Sequence, residues 1–282
     1  IHYAPENDTV AVIEPFSRSF RVYHAGSMQL KRQYAPKVPA GFVRSVCYDD
    51  VIGCYVVATS AMHMSLLDED TGNTLKSFRT RSNQVCMAHA RGGGSSYVIT
   101  GDIQGNIRSW NLDTIQDTDN RLALSHTEFG TPPPPKRSES GAKQGLGGGH
   151  TDVVLNLLTL QDHGLLASCS MDHTVKLWDL STHRLKNTLQ GVRHMAYCPE
   201  YRLVVSGGFC YDILVSNPYV SKPINRLHGH CAPIVGVEIP PNSPQAGRLI
   251  TADEDGMCKL WDLRNFSCVQ TFSPHTDVRK TR

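Results

Sequence analysis

The sequence predicts an all-β fold assembled from a repeated four-stranded unit. Two segments, residues 149–180 and 229–263, align over their whole length, and self-similarity at a fixed period marks a repeat architecture. Short β-branched runs recur between turn residues: Tyr55-Val-Val-Ala-Thr59, Ser96-Tyr-Val-Ile-Thr100, Arg202-Leu-Val-Val-Ser206 and Arg248-Leu-Ile-Thr251, the pattern of strands that pack on a pleated surface. Helical signal is scarce: residues 152–161 alone have the apolar content of a helix, and they are too few and too β-branched to make one.

The best copies fix the register. Leu166-Ala-Ser-Cys-Ser-Met-Asp-His-Thr-Val-Lys-Leu-Trp-Asp-Leu180 aligns with Leu249-Ile-Thr-Ala-Asp-Glu-Asp-Gly-Met-Cys-Lys-Leu-Trp-Asp-Leu263, and Val98-Ile-Thr-Gly-Asp-Ile-Gln-Gly-Asn-Ile-Arg-Ser-Trp-Asn-Leu112 brings Trp110 into line. Tyr23, Leu67, Trp110, Trp178, Ser216 and Trp261 are then equivalent, at intervals of 44, 43, 68, 38 and 45 residues. Intervals of 38 to 45 fit one four-stranded blade of a β-propeller. This gives a partial blade at 1–38, blades at about 39–78, 79–113, 149–190, 191–227 and 228–272, and the start of a further blade at 273–282. Tight turns fall at Gln104-Gly105 and Asp255-Gly256.

The interval of 68 contains Thr131-Pro-Pro-Pro-Pro135 and Gly145-Leu-Gly-Gly-Gly149. Such composition buries no apolar face, so residues 114–148 are expected as a flexible insertion between blades. An extended Pro-rich docking peptide is the functional alternative. The first residue is Ile1, and the last residues stop where a repeat would begin. Both ends are therefore expected to be cuts through a longer chain, of which this one is an incomplete propeller.

Composition narrows the function classes. With 28 basic and 26 acidic residues the net charge is +2, so the chain as a whole has no footprint for nucleic acid or an anionic membrane. It lacks an apolar run of membrane-spanning length and an apolar signal-peptide core at the amino end, which points to the cytoplasm. The nine cysteines form no Cys-x-x-Cys pair and several sit in apolar runs, the habit of reduced, buried thiols.

The residues that resemble chemistry recur with the repeat. His150, Ser168, Asp172 and Trp178 in one unit match His230, Thr251, Asp255 and Trp261 in another, with Thr100 and Trp110 as a partial set. Taken once, Ser, His and Asp suggest a hydrolytic triad. An enzyme needs one nucleophile at one exposed site, whereas this set is repeated and always includes an indole. Indole donates, imidazole and hydroxyl do both, carboxylate accepts; together they close a relay that ties the loop before a blade to its second and third strands. No catalytic, cofactor or metal residue is expected. The glycine-rich runs lack the Gly-Lys-Ser/Thr of a phosphate loop, and the acidic runs at Asp68 and Asp253 reach Arg79 and Arg264 where a calcium loop needs Glu. His63 and His228 have no companions at metal-ligand spacing.

Gly-His, an apolar strand, Ser/Thr-x-x-x-Asp and Trp-Asp in series resemble the WD-repeat family. The resemblance implies a propeller of about seven blades when complete. Units that depart from the pattern should rely on apolar packing: the one at Ser216 keeps Ser206 but has Cys210 in place of the Asp, the one at Leu67 has Val57 and Ala61, and the one at Tyr23 has Ser17. Asn217-Pro-Tyr219 in place of Trp-Asp, the approach Arg226-Leu-His-Gly-His230, and Trp261-Asp-Leu-Arg-Asn-Phe-Ser-Cys-Val-Gln-Thr-Phe272 are further similar to the large WD-repeat proteins of motile cilia and flagella, some of which carry EF-hands. That likeness implies a static scaffold in the axoneme, bound to other proteins such as tubulin-associated coiled coils, with no nucleic acid, membrane or small-molecule substrate. A general cytosolic adaptor, for ubiquitin ligation or trafficking, is the alternative. A propeller enzyme is a third, and needs convergent titratable groups at a central channel.

Overall fold

The computed structural model describes residues 2–4, 7–37, 41–92, 95–112, 126–130, 149–191, 193–240 and 247–273. Each β-branched run becomes a strand, and consecutive strands pair antiparallel into four-stranded sheets, of which there are six among the described residues. We number these blades I (2–34), II (43–79), III (84–128), IV (154–190), V (194–227) and VI (234–272). The register read from the sequence is the observed one. Val98 pairs with Trp110, Leu166 with Trp178 and Leu249 with Trp261, and the degenerate positions follow suit as Val10–Tyr23, Tyr55–Leu67 and Val204–Ser216.

Two expected boundaries change. The segment taken as a partial blade, 1–38, forms a whole sheet from four short strands, His2–Ala4, Thr9–Ile13, Phe20–His24 and Leu30–Tyr34. Blade III does not end at 113: its fourth strand, His126–Glu128, lies inside the stretch expected as insertion and pairs with Arg108–Trp110. The rest of that stretch, 114–125 and 131–148 with its four prolines, lies outside the described residues, as does the expected further blade beyond Ser273. Residues 152–161, the helix candidate, give the strand Val154–Leu160, and one 3-10 turn follows, Gln161–His163.

Strand side chains alternate between faces, so each inner strand sends one set of apolar residues to the blade before it and one to the blade after. The core is accordingly divided into five clusters, each spanning two consecutive blades. Trp178 of blade IV packs with Cys86, Ile99 and Phe129 of blade III, and Trp261 of blade VI with Val205 and Val215 of blade V. Burying one such side chain contributes about 1.5–3 kcal/mol, and that burial exists only where two blades meet; each blade therefore depends on its neighbours.

No described cluster joins blade VI to blade I, and the arc is open. The unpaired face shows it: Ala167, Cys169, Val175 and Leu177 of blade IV, which blade V covers, are fully buried, whereas their counterparts in blade VI are half-buried, and Ile250 is 41% exposed.

Candidate functional site

The relays lie at one edge of the blades, where the loop before each first strand meets the turn between its second and third strands. In blade IV the strand Leu165–Ser170 carries Ser168 and the strand Thr174–Asp179 carries Trp178. Trp178 Nε1 donates to Ser168 Oγ at 2.7 Å, and Ser168 Oγ lies 2.7 Å from His150 Nε2. His150 Nδ1 meets Asp172 Oδ2 at 2.8 Å. Asp172 is further held by Thr174 Oγ1 at 2.6 Å and by the Thr151 amide at 3.1 Å. The hydroxyl accepts from the indole and donates to the imidazole, which in turn donates from Nδ1 to the carboxylate, so a neutral His150 satisfies every member. Burial lowers the His150 pKa, against the pull of Asp172. Burial also opposes the charge of Asp172, but hydrogen bonds from Thr174 and His150 hold its carboxyl below the usual range.

Blade VI repeats the geometry with one substitution. Trp261 Nε1 donates to Thr251 Oγ1 at 2.8 Å and Thr251 Oγ1 lies 2.7 Å from His230 Nε2. His230 Nδ1 then meets Asp253 Oδ2 at 2.7 Å, so the acid is Asp253 and the expected Asp255 is outside the relay, exposed in the turn. The reason is local: Asp253 takes the place of Ser170, at the end of the strand and directly beneath the imidazole, and its other oxygen accepts the Met257 amide at 2.9 Å. The turn Glu254-Asp255-Gly256 is thereby freed of the task.

Blade III keeps the hydroxyl and indole, with Trp110 Nε1 donating to Thr100 Oγ1 at 2.8 Å. Its carboxylate is Asp102, in the register of Asp253 and wholly buried, which accepts from Arg108 Nη1 at 2.7 Å and Ser82 Oγ at 2.5 Å. Burial opposes the charge, yet the Ser82 and Asn106 bonds lower the Asp102 pKa. Arg108 Nε continues to Glu128 Oε1 at 3.0 Å, which anchors the fourth strand. Beside this network Gly105 has φ +86°, and a Cβ there would come within 2.4 Å of the His150 carbonyl. Only glycine lets this turn close against the approach to blade IV. Asp102 was within reach of the sequence, since Thr100-Gly-Asp102 and Thr251-Ala-Asp253 stand in one register.

One further constellation escaped the sequence altogether. Between blades II and III the buried Asp49 faces His89 Nε2 at 3.1 Å and accepts from Ser96 Oγ, while Ser96 Oγ lies 2.8 Å from the same Nε2. A hydrolytic base takes its proton on one ring nitrogen and is held by the other; here Nε2 does both, and Ser96 is 1% exposed. Asp49, His89 and Asp50 form the one cluster among the described residues whose donor atoms suit a cation. Asp49 already accepts the Val51 and Ile52 amides at 2.9 and 3.1 Å and Asp50 accepts Arg91, so the set works as a clamp between blades. A second hub, Glu69, accepts from Lys31, Tyr48 and Asn7 at 2.6, 2.5 and 3.0 Å and ties blades I and II.

At the opposite edge a cavity of about 720 Å³ opens between blades III and IV, with His163, His183 and Asp179 in its wall. Ser181 Oγ is spent on Asp179 at 2.5 Å. Asn217-Pro-Tyr219 reaches the same region from blade V: Tyr219 OH lies 2.9 Å from His163 Nδ1 and the Pro218 carbonyl accepts Asn187 Nδ2 at 2.9 Å. This departure from Trp-Asp is a strut onto blade IV.

Known proteins agree with the blade geometry. The profile of the WD domain, G-beta repeat, matches residues 144–179 and 221–262, which hold the two complete relays. The chain carries WD repeats. Similar curated proteins include the Cilia- and flagella-associated protein 337 B of Tetrahymena thermophila, 31% identical over 137 residues, which are 47% of this WD-repeat chain and 11% of that protein. The Ribosome biogenesis protein YTM1 of Phaeosphaeria nodorum is 32% identical over 124 residues, 42% of this chain and 26% of its own length. The Ribosome biogenesis protein WDR12 homolog of Ixodes scapularis is 27% identical over 202 residues, 65% and 46% respectively. This WD-repeat chain thus spans less than half of each of these relatives.

Proposed function

We propose that the chain is a non-catalytic scaffold that holds other proteins in the axoneme of a motile cilium or flagellum. The observation that carries the scaffold reading is that every relay hydroxyl is enclosed: Ser168, Thr251 and Thr100 are at most 1% exposed, so no substrate reaches them. Blades stapled in this way form a rigid body, and rigidity lowers the entropic cost of each contact made by the turns at either edge. The axonemal part is supported by the match to the Tetrahymena cilia- and flagella-associated protein across nearly half of the chain. Among the described residues no helix is long and apolar enough to cross a membrane.

A second reading, a scaffold in ribosome biogenesis, is supported by the matches to the ribosome biogenesis proteins of Phaeosphaeria nodorum and Ixodes scapularis. Fractionation of a ciliated cell that expresses the tagged full-length protein separates the two. We expect the protein to remain with detergent-extracted axonemes and to leave them only at high salt. Complete release by detergent, with co-sedimentation on pre-ribosomal particles, overturns the axonemal reading in favour of the second.

A further inference from the structure

On the relay edge, blades I to III present a continuous exposed track of apolar side chains. Phe16, in the turn between the second and third strands of blade I, is 81% exposed, and its ring stands 5.3 Å from that of Phe42, in the loop before blade II. Backbone contacts carry the track onward. The Phe42 amide donates to Ser60 Oγ at 3.0 Å and the Ser60 amide to the Phe42 carbonyl at 2.9 Å, which joins that loop to the turn of blade II. The Thr80 amide donates to the Met62 carbonyl at 2.8 Å in the same turn, and the Ile103 amide to the Asn83 carbonyl at 3.1 Å in blade III. Met62 is half-buried and Ile103, at the equivalent turn of blade III, is 42% exposed.

Arginines border this track. Arg18 lies two residues beyond Phe16, the Arg44 guanidinium stands 5.4 Å from the Phe42 ring, and Arg79 and Arg81 flank Thr80. All four are exposed, and among the described residues none of them meets a carboxylate. Glu14, the acid of the blade I turn, is spent on Arg21 at 2.7 Å. Blades I and II keep Asp8, Asp50, Asp68, Glu69 and Asp70 at the opposite edge, so the track is positive where the far side is negative. A cationic border around apolar anchors selects a partner of opposite charge, and aromatic and arginine side chains are those that most often carry binding energy. Nucleic acid fits less well: Met62 and Ile103 offer no ring for a base to stack on, and a net charge of +2 gives no wider field. Packed sheets lie about 10 Å apart, so the track from blade I to blade III is about 20 Å long. An α-helix covers that length in about 14 residues.

We propose that this edge binds an acidic amphipathic helix of a partner protein, its apolar stripe on Phe16, Phe42 and Ile103 and its carboxylates facing Arg44, Arg79 and Arg81. Such a docking site rests on the scaffold reading and gives it one occupant of stated chemistry.

The probe is a fluorescein-labelled helical peptide of about five turns, with leucines on one face and glutamates on the other, titrated into the full chain and followed by anisotropy. The same peptide with lysine for glutamate, and a labelled oligo-dT strand of similar length, are titrated beside it. The result expected is saturable binding of the glutamate peptide at roughly 10–100 μM, weakened by salt and ahead of both other probes. Ile103→Asp should weaken it about tenfold, as loss of an interface anchor does. Arg79→Glu with Arg81→Glu should weaken it as much and turn the preference to the lysine peptide. An unfolded variant would bind neither peptide, so the reversal reads the surface itself, and if that pair misfolds Ile103→Asp still decides. Absence of saturable binding, equal binding of the two peptides, or indifference to both variants overturns the proposal. Tighter binding of the oligonucleotide overturns it too, as does a dimer of the chain that the charge reversals dissolve. Loss of axonemal retention with peptide binding intact speaks against the axonemal reading alone, and retention without peptide binding against this surface alone.

Discussion

Ser168 and Thr251 each meet an indole N–H and an imidazole nitrogen within 2.8 Å, which uses the hydroxyl on both sides. Removing one member leaves the others buried and unpartnered, at about 1–3 kcal/mol for each lost partner. Trp178→Ala adds a cavity and should cost about 3–5 kcal/mol in urea unfolding. The relay acids offer a sharper check: Asp253→Ala should destabilise by about 1–3 kcal/mol, whereas Asp255→Ala, in the exposed turn, should stay within about 0.5 kcal/mol of the parent. Sequence spacing alone chose Asp255, because Asp172 fixed the offset and two carboxylates stand two residues apart. Which of them lies beneath the imidazole depends on where the strand ends, a fact of the turn and not of the pattern. Hydroxyl, imidazole and indole were legible because the same residue types recur at one spacing. Protonation follows from the same geometry. The folded pKa of His150 is lowered, so below the unfolded value of about 6.5 the unfolded state binds more protons and stability declines as the medium is acidified; Asp172, also lowered, extends the decline below about pH 4. His150→Gln should flatten the dependence of urea midpoint on pH between about 5 and 7, and an unchanged slope would contradict the neutral relay.

Blades differ in what staples them. Blades IV and VI carry full relays, blade III an Arg108–Asp102–Ser82 network, and blade V a single long hydrogen bond from Ser206 to the Gln190 carbonyl. Cooperative units open with free energies set by their contacts, so amides of Leu203–Gly207 in blade V should exchange faster than those of Leu165–Ser170 in blade IV. Equal protection would mean that the relays add nothing to blade stability. In blade III, Arg108→Ala strands the carboxylate of Asp102, a loss of about 3–5 kcal/mol for a broken buried pair, readable in the same unfolding assay. At this scale the three tryptophan-bearing sheets were legible from Trp110, Trp178 and Trp261. The clamp of Asp49, His89 and Ser96 was not, because its members come from strands of two blades and share no repeat spacing. The fourth strand of blade III was hidden for another reason: three residues, His126–Glu128, carry too little pattern to stand out beside the proline and glycine runs.

Across the whole molecule the six described sheets form an open arc in which each core cluster belongs to two blades. Blade VI leaves Ile250 exposed on the face its predecessors bury, the face a following blade would cover. In the proposed role this arc is a rigid holder of several proteins. Cross-linking mass spectrometry on the native, detergent-extracted complex tests it most directly, since Lys31, Lys76, Lys186, Lys222 and Lys259 distribute reactive amines over five of the blades. The account predicts cross-links from at least two blades to at least two different proteins. A chain that migrates alone, with links only to itself, would contradict it.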